Sequence, residues 1–130
     1  MPTKMSKIET AIRISLAFNE AFNRHDVAGM VKLLSEDCTF ETSAPAPDGA
    51  VYTGKEAITS YLRNFFRESP QVYMQIEDIY GFGHRCNMHW RCRWVDEVGH
   101  QQHVRGVDVI QEKEGLICKR LSYAKSFYSC

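Results

Sequence analysis

The sequence predicts an α+β domain in which three helices come first and antiparallel strands follow. Three observations carry this. Apolar residues recur at helical spacing up to Pro70. Beyond Pro70 the apolar period changes to two. The gaps between the later apolar runs, 96–103 and 111–115, are short enough for hairpins, which join antiparallel neighbours.

The first helix is expected to start at a capping box, Ser6 to Glu9. There the serine hydroxyl can accept from a free amide of the first turn and the glutamate can reach back. Ile8, Ala11, Ile12, Ser15, Leu16, Asn19 and Phe22 follow at helical spacing. Ile14, Ala17, Phe18 and Ala21 widen that face, so other structure should wrap this helix. Asn23 to Asp26 breaks the pattern. Asp26 can cap a short second helix with Val27, Met30, Val31 and Leu34 inward.

Cys38 to Thr42 alternates as a short strand. Ser43 to Gly54 contains Pro45, Pro47 and Gly49 and is expected to be a loop. Thr53 to Glu56 repeats the capping-box pattern, and Ile58, Tyr61, Leu62, Phe65 and Phe66 continue it as a third helix. Ser69-Pro70 ends that helix, because the residue before proline avoids helical geometry. Four strands are expected next. Val72, Met74 and Ile76 form one face of the first; Met88, Trp90, Cys92 and Trp94 form one face of the second. Val104 to Ile110 is the third. Leu116 to Lys125 is the fourth, after a turn at Glu114-Gly115.

A chain of 130 residues is expected to be a single domain, 1–130, with a core large enough to need no metal or disulfide. Sixteen basic and sixteen acidic residues cancel, which argues against nucleic acid and anionic membranes as partners. No apolar run approaches a membrane span and Met1 to Thr10 lacks a signal-peptide core, so a cytoplasmic location is expected. The cysteines at 38, 86, 92, 118 and 130 show no paired spacing and are expected to be small buried hydrophobes, with Cys130 a loose terminal thiol. His100 and His103 match no ligand signature, so neither metal nor cofactor is expected.

Asp108 is the first candidate for chemistry. It stands between Val107 and Val109 in a strand suited to burial and shares a face with Gly106 and Ile110. A carboxyl group facing a pocket there would be desolvated and suited to proton transfer. Two other readings stay open: a buried ion pair with Arg120, or a solvent-facing position. Trp90, Cys92 and Trp94 can be core or pocket wall. His89, Arg91 and Arg93 form a basic stripe on the opposite face, expected to be a solvated face or a dimer rim rather than an anion site.

Three stretches resemble the nuclear transport factor 2-like (cystatin-like) superfold, within it the SnoaL-like polyketide cyclases and the ketosteroid isomerases. They are Ala21 to Asp26 with Leu33 to Phe40, then Tyr52 to Ile58, then Arg105 to Ile110 with Gly115 to Ile117 and Tyr123. The resemblance implies a cone: a strongly curved antiparallel sheet wrapped around the long helix. It also implies an apolar pocket with polar groups at its floor, and a homodimer through the outer face of the sheet. Laid against ketosteroid isomerase, the base falls on Thr42 and the tyrosine donor on Phe18. The second carboxyl falls on Asp108. Threonine cannot take a proton near neutral pH and phenylalanine has no hydroxyl, so ketosteroid isomerase chemistry is not expected.

The resemblance turns Cys118, Arg120 and Ser122 inward beside Asp108. Related epoxide hydrolases place an arginine between carboxylates, a looser likeness that points to Arg120. Asp108 and Arg120 are thus the catalytic candidates. Phe18, Thr42, Tyr61, Phe65, Trp90, Cys92, Trp94 and Ser122 are the expected pocket lining. Three functions are consistent with this: a cofactor-free isomerase, cyclase or hydrolase using acid–base chemistry on a small hydrophobic, oxygenated molecule; a module that binds such a molecule unchanged; and a dimerisation domain.

Overall fold

The computed structural model describes residues 3–125. The first helix, α1, runs Thr3–Asn23 and so starts before the capping box expected at Ser6. Ala11, Ile14, Ser15, Phe18, Ala21 and Phe22 form its buried face, while Leu16 turns outward. Asp26 caps α2 (Val27–Lys32) as expected, its Oδ1 accepting from the Gly29 amide at 3.0 Å. α3 spans Lys55–Glu68. The capping box expected there is absent: Gly54 is the N-cap, at φ 90°, with no side-chain cap. Among the described residues no helix is long and apolar enough to cross a membrane.

Six strands form one sheet: β1 (Leu34–Glu41), β2 (Val51–Thr53), β3 (Tyr73–Phe82), β4 (Arg85–Val95), β5 (Gln101–Lys113) and β6 (Leu116–Ala124). Their order is β2-β1-β6-β5-β4-β3. β2 is a correction, since 43–54 was expected to be all loop; three residues in a Pro- and Gly-rich stretch carry too little periodicity to register. The sheet also departs from a purely antiparallel one. β1 and β6 pair in parallel, Phe40 opposite Arg120, while every other neighbouring pair is antiparallel.

α1 lies across the inner face of the sheet and touches β3, β4, β5 and β6. Its end is pinned to β3: the Asn23 side chain donates to the Met74 carbonyl at 2.9 Å and accepts from the Met74 amide at 2.7 Å. The core between helix and sheet includes Phe18, Phe22, Phe40, Met74, Met88, Trp90 and Ile110. On β5 every second residue from Val104 to Glu112 is buried. On β6 that alternation breaks at a bulge. Gln111 pairs with Lys119 but Glu112 pairs with Ile117, so Ile117 turns inward and Cys118 is only half-buried. The expectation that Cys118 faces inward with Arg120 is corrected accordingly.

Candidate functional site

The register of the last three strands sets the inner face of the sheet. Met88, Asp108 and Ser122 share one rung; Trp90, Gly106 and Ala124 share the next. Gly106 is required there. A Cβ at that position would lie 2.5 Å from the Trp90 ring and 2.5 Å from the Tyr123 carbonyl oxygen. Without it, the indole lies across β5 and brings its N–H to the neighbouring rung.

That N–H donates to Asp108 Oδ1 at 2.9 Å, and the Ser122 hydroxyl donates to the same oxygen at 2.7 Å. Arg120 Nε–H donates to Asp108 Oδ2 at 2.7 Å. The aspartate is 0% exposed and the arginine 3%. The guanidinium carbon lies 5.1 Å from the Phe40 ring centre and 5.8 Å from that of Phe18, within cation–π range. These rings meet edge to face at 5.9 Å. Of the three readings open for Asp108, the structure shows the ion pair. A buried pair needs hydrogen bonds to offset its desolvation, and both carboxylate oxygens have them.

Neither Asp108 nor Arg120 lines any of three clefts found among the described residues. The first, about 750 Å³, lies between Glu41 to Asp48 and Leu121 to Lys125. Ser122 is the one member of the Asp108 cluster that lines it. The second, about 700 Å³, lies on the other side of the same loop, against α3, and is lined by Tyr52, Tyr61 and Phe65. Tyr52 and Tyr61 stack there at 4.5 Å. The third, about 440 Å³, lies on the outer face and includes Trp94.

The expected site residues therefore divide. Asp108, Arg120, Ser122, Trp90 and Phe18 converge, and Trp90 and Phe18 belong to the buried core. Tyr61 and Phe65 line the α3 cleft. Thr42 lines the first cleft, with its hydroxyl holding the loop closed: it donates to the Ala44 carbonyl at 2.7 Å and accepts from the Ala50 amide at 3.2 Å. Cys92 is buried and disulfide-bonded, which corrects its expectation as an unpaired small hydrophobe. Cys130 lies outside the described residues.

Cys38, on β1, is fully buried, and burial first of all pushes its thiol up to about 12, so it is held protonated. Among the described residues no three His, Cys, Asp or Glu side chains converge as metal ligands. Three contributors escaped the sequence reading. Trp90, expected as core or pocket wall, is also a hydrogen-bond donor. Gly106 makes room for it. Ser43 Oγ–H donates to the Ser122 carbonyl at 2.8 Å and fastens the loop to β6. The Gly106-Val-Asp108 spacing held a signal: a glycine on the same face as a lone acid, with a tryptophan strand nearby.

The family described as the SnoaL-like domain matches residues 16–120. Among solved structures, the chain is similar to a nuclear transport factor 2-like protein of unknown function from Mesorhizobium loti. Identity is 29%, coverage 97% of this chain and 98% of that one, and TM-score 0.78. It is also similar to RV0760c from Mycobacterium tuberculosis in complex with estradiol-17β-hemisuccinate, at 21% identity, 88% and 92% coverage and TM-score 0.76. A cystatin-fold protein from Novosphingobium aromaticivorans shares 20% identity over 87% and 97% of the chains, with TM-score 0.75. The search of curated proteins gave no match.

Proposed function

The chain belongs to the SnoaL-like domain family, and from that premise we propose that it takes a small hydrophobic, oxygen-bearing molecule into the cleft between the 42–48 loop and the end of β6. One observation carries this reading: Ser122 lines that cleft, and its hydroxyl donates to buried Asp108. Its proton is committed inward, so its oxygen lone pairs remain as acceptors toward the cleft. The matching ligand group is a hydroxyl donor such as an alcohol, enol or phenol. Leu121 to Ala124 and Pro47 supply walls for its apolar body.

The steroid hemisuccinate bound by RV0760c, a protein of the same fold, supports a ligand of this hydrophobic, oxygenated kind. The test is native mass spectrometry with a panel of hydroxylated polycyclic compounds. Ser122→Ala is expected to weaken the retained compound about tenfold, the worth of about one hydrogen bond. Equal affinity in the variant overturns the reading.

A second reading, acid–base chemistry of the isomerase or cyclase type, rests on the same hydrogen bond. A ligand hydroxyl can pass its proton to Ser122 as Ser122 passes its own to Asp108. No cofactor enters this relay. Direct contact between Asp108 and a ligand is not part of either reading, because three donors and the Trp90 ring enclose the carboxylate. Conversion of a bound panel compound by the wild type, lost in Ser122→Ala, separates relay from binding alone. Compounds recovered unchanged leave binding as the function.

The same proposal includes a homodimer through the outer face of the sheet. Val107 pairs with Tyr123 there and Val109 with Leu121, and Tyr123 is 60% exposed. Sedimentation of wild type and Tyr123→Glu tests it: a monomer in both rejects the dimer.

A further inference from the structure

The basic stripe expected to be a solvated face is more organised than that. On the outer face of the sheet, register puts Tyr73, Arg93 and His103 on one rung. Gln75, Arg91 and Arg105 occupy the next. Arg91 and Arg105 are directly opposed, an arrangement that destabilises a sheet unless something neutralises it. One carboxylate does so. Glu77 accepts from Arg105 Nε at 2.8 Å and lies 3.5 Å from Arg91 Nη2. Its carboxyl is held below the ordinary range, first by that Arg105 hydrogen bond.

Glu77 also feels the Arg93 charge, though without direct contact. Arg93 makes no ion pair among the described residues. The nearby loop carboxylate, Asp96, is turned to its own loop. It accepts from the Val98 and His100 amides and from Gln102 at 3.0 Å. Arg91 keeps a second unmet demand: its Nε–H is buried and has no hydrogen-bond partner. A buried donor without a partner is costly, so the outward Nη groups of Arg91 and not this Nε face the cleft.

Arg91, Arg93 and His103 all line one cleft of about 440 Å³, and no acidic side chain lines it. That volume suits a small molecule. Tyr73 forms an aromatic wall, while Trp94 meets the cleft between outward Arg93 and Val95 and packs against the core. We infer that this outer cleft binds a small oxyanion, a carboxylate or phosphate head carried by a compact, planar body. Arg93 and Arg91 hold the head, and Tyr73 flanks the body. The site is separate from the Ser122 cleft and does not depend on the function proposed for it.

The probes are sodium benzoate and inorganic phosphate, each titrated into the full chain while the backbone amide resonances of Tyr73 and His103 are followed. Benzoate is expected to give a saturable shift that weakens at least tenfold in Arg93→Gln and, separately, in Arg91→Gln. Raising salt weakens it as well. Glu77→Gln strengthens it, by removing the carboxylate that competes for Arg91. Ser122→Ala leaves it unchanged. Competition by phosphate identifies a general oxyanion head, and its absence identifies a carboxylate site. A shift that does not saturate, or that survives Arg93→Gln unaltered, overturns the inference. Arg93 is exposed, so that variant is expected to keep the wild-type fold, which the remaining amide spectrum checks.

Discussion

The two faces of β4 and β5 use the same chemistry in opposite surroundings, one residue apart in sequence. Inward, Asp108 and Arg120 form an ion pair roofed by Trp90, Phe18 and Phe40. Outward, Glu77 bridges Arg91 and Arg105 in contact with water. The inner pair gave up its hydration, and every hydrogen bond to Asp108 comes from a different position: β4, β6 and β6 again two residues on. It therefore specifies which rungs of three strands align. The outer pair gave up little and specifies little, which leaves its surplus positive charge available to a ligand.

The largest expected effect comes from breaking the inner pair. Asp108→Asn leaves Arg120 buried without a counter-charge, and the expected loss in urea unfolding is about 3–5 kcal/mol. Replacing both, Asp108→Leu with Arg120→Met, should recover most of that loss, because an apolar pair of similar volume carries no desolvation cost. A loss below about 1 kcal/mol in the single variant would be typical of a surface pair, and would erase the contrast between the faces.

Gly106→Ala comes next, with an expected loss of about 1–3 kcal/mol from overpacking. The added methyl meets the Trp90 ring on one side and the Tyr123 backbone carbonyl on the other, so it has no easy direction of escape. Near-ultraviolet circular dichroism should change with it as the indole is displaced from Asp108. A variant with wild-type stability and an unchanged aromatic signal would mean that the sheet opens at this rung at no cost.

Much of this was legible in the sequence, and the reasons for the rest are physical. The helices and later strands declared themselves because burial on one face imposes a period. Asp108 declared itself as an acid between two valines. Its partnership with Arg120 remained one reading of three, because facing in β6 depends on the bulge at Cys118, which has no periodic signature. The parallel pairing of β1 with β6 joins segments about 80 residues apart in sequence, beyond any local pattern. The hydrogen bond from Trp90 to Asp108 was hidden for a related reason. A tryptophan on a buried face serves equally as wall or as hydrogen-bond donor, and Gly106 decides between them only once the two strands are in register.

Cys38 sharpens the comparison from the inner side of β1. Its thiol is raised from 9.0 to about 12, chiefly by burial, with Arg120 opposing. The native state therefore holds the proton more tightly than the unfolded chain. Stability should be complete below pH 9 and fall as pH rises from there toward 12, by at most about 1.4 kcal/mol per pH unit for one proton. Cys38→Ala should flatten that alkaline slope in urea midpoints taken from pH 8 to 10.5. An identical slope in the variant would place the alkaline sensitivity elsewhere.

The smallest effect belongs to the outer face. Glu77→Gln removes the carboxylate shared by Arg91 and Arg105 and leaves the two guanidinium groups opposed across the strands. Water and ions screen such groups, so the urea midpoint should fall slightly at low salt and return toward wild type as salt approaches about 1 M. The depressed Glu77 carboxyl adds an acid-side signature. Its contribution is present above the ordinary glutamate range and fades as pH falls through its lowered value, so wild type and variant should converge in acid. The deficit of Asp108→Asn should instead persist at high salt, because ions do not reach a fully buried pair. If Glu77→Gln cost as much as Asp108→Asn, or if salt rescued both alike, the outer charges would be holding the strands in register too. The oxyanion cleft would then be a by-product of that structural work.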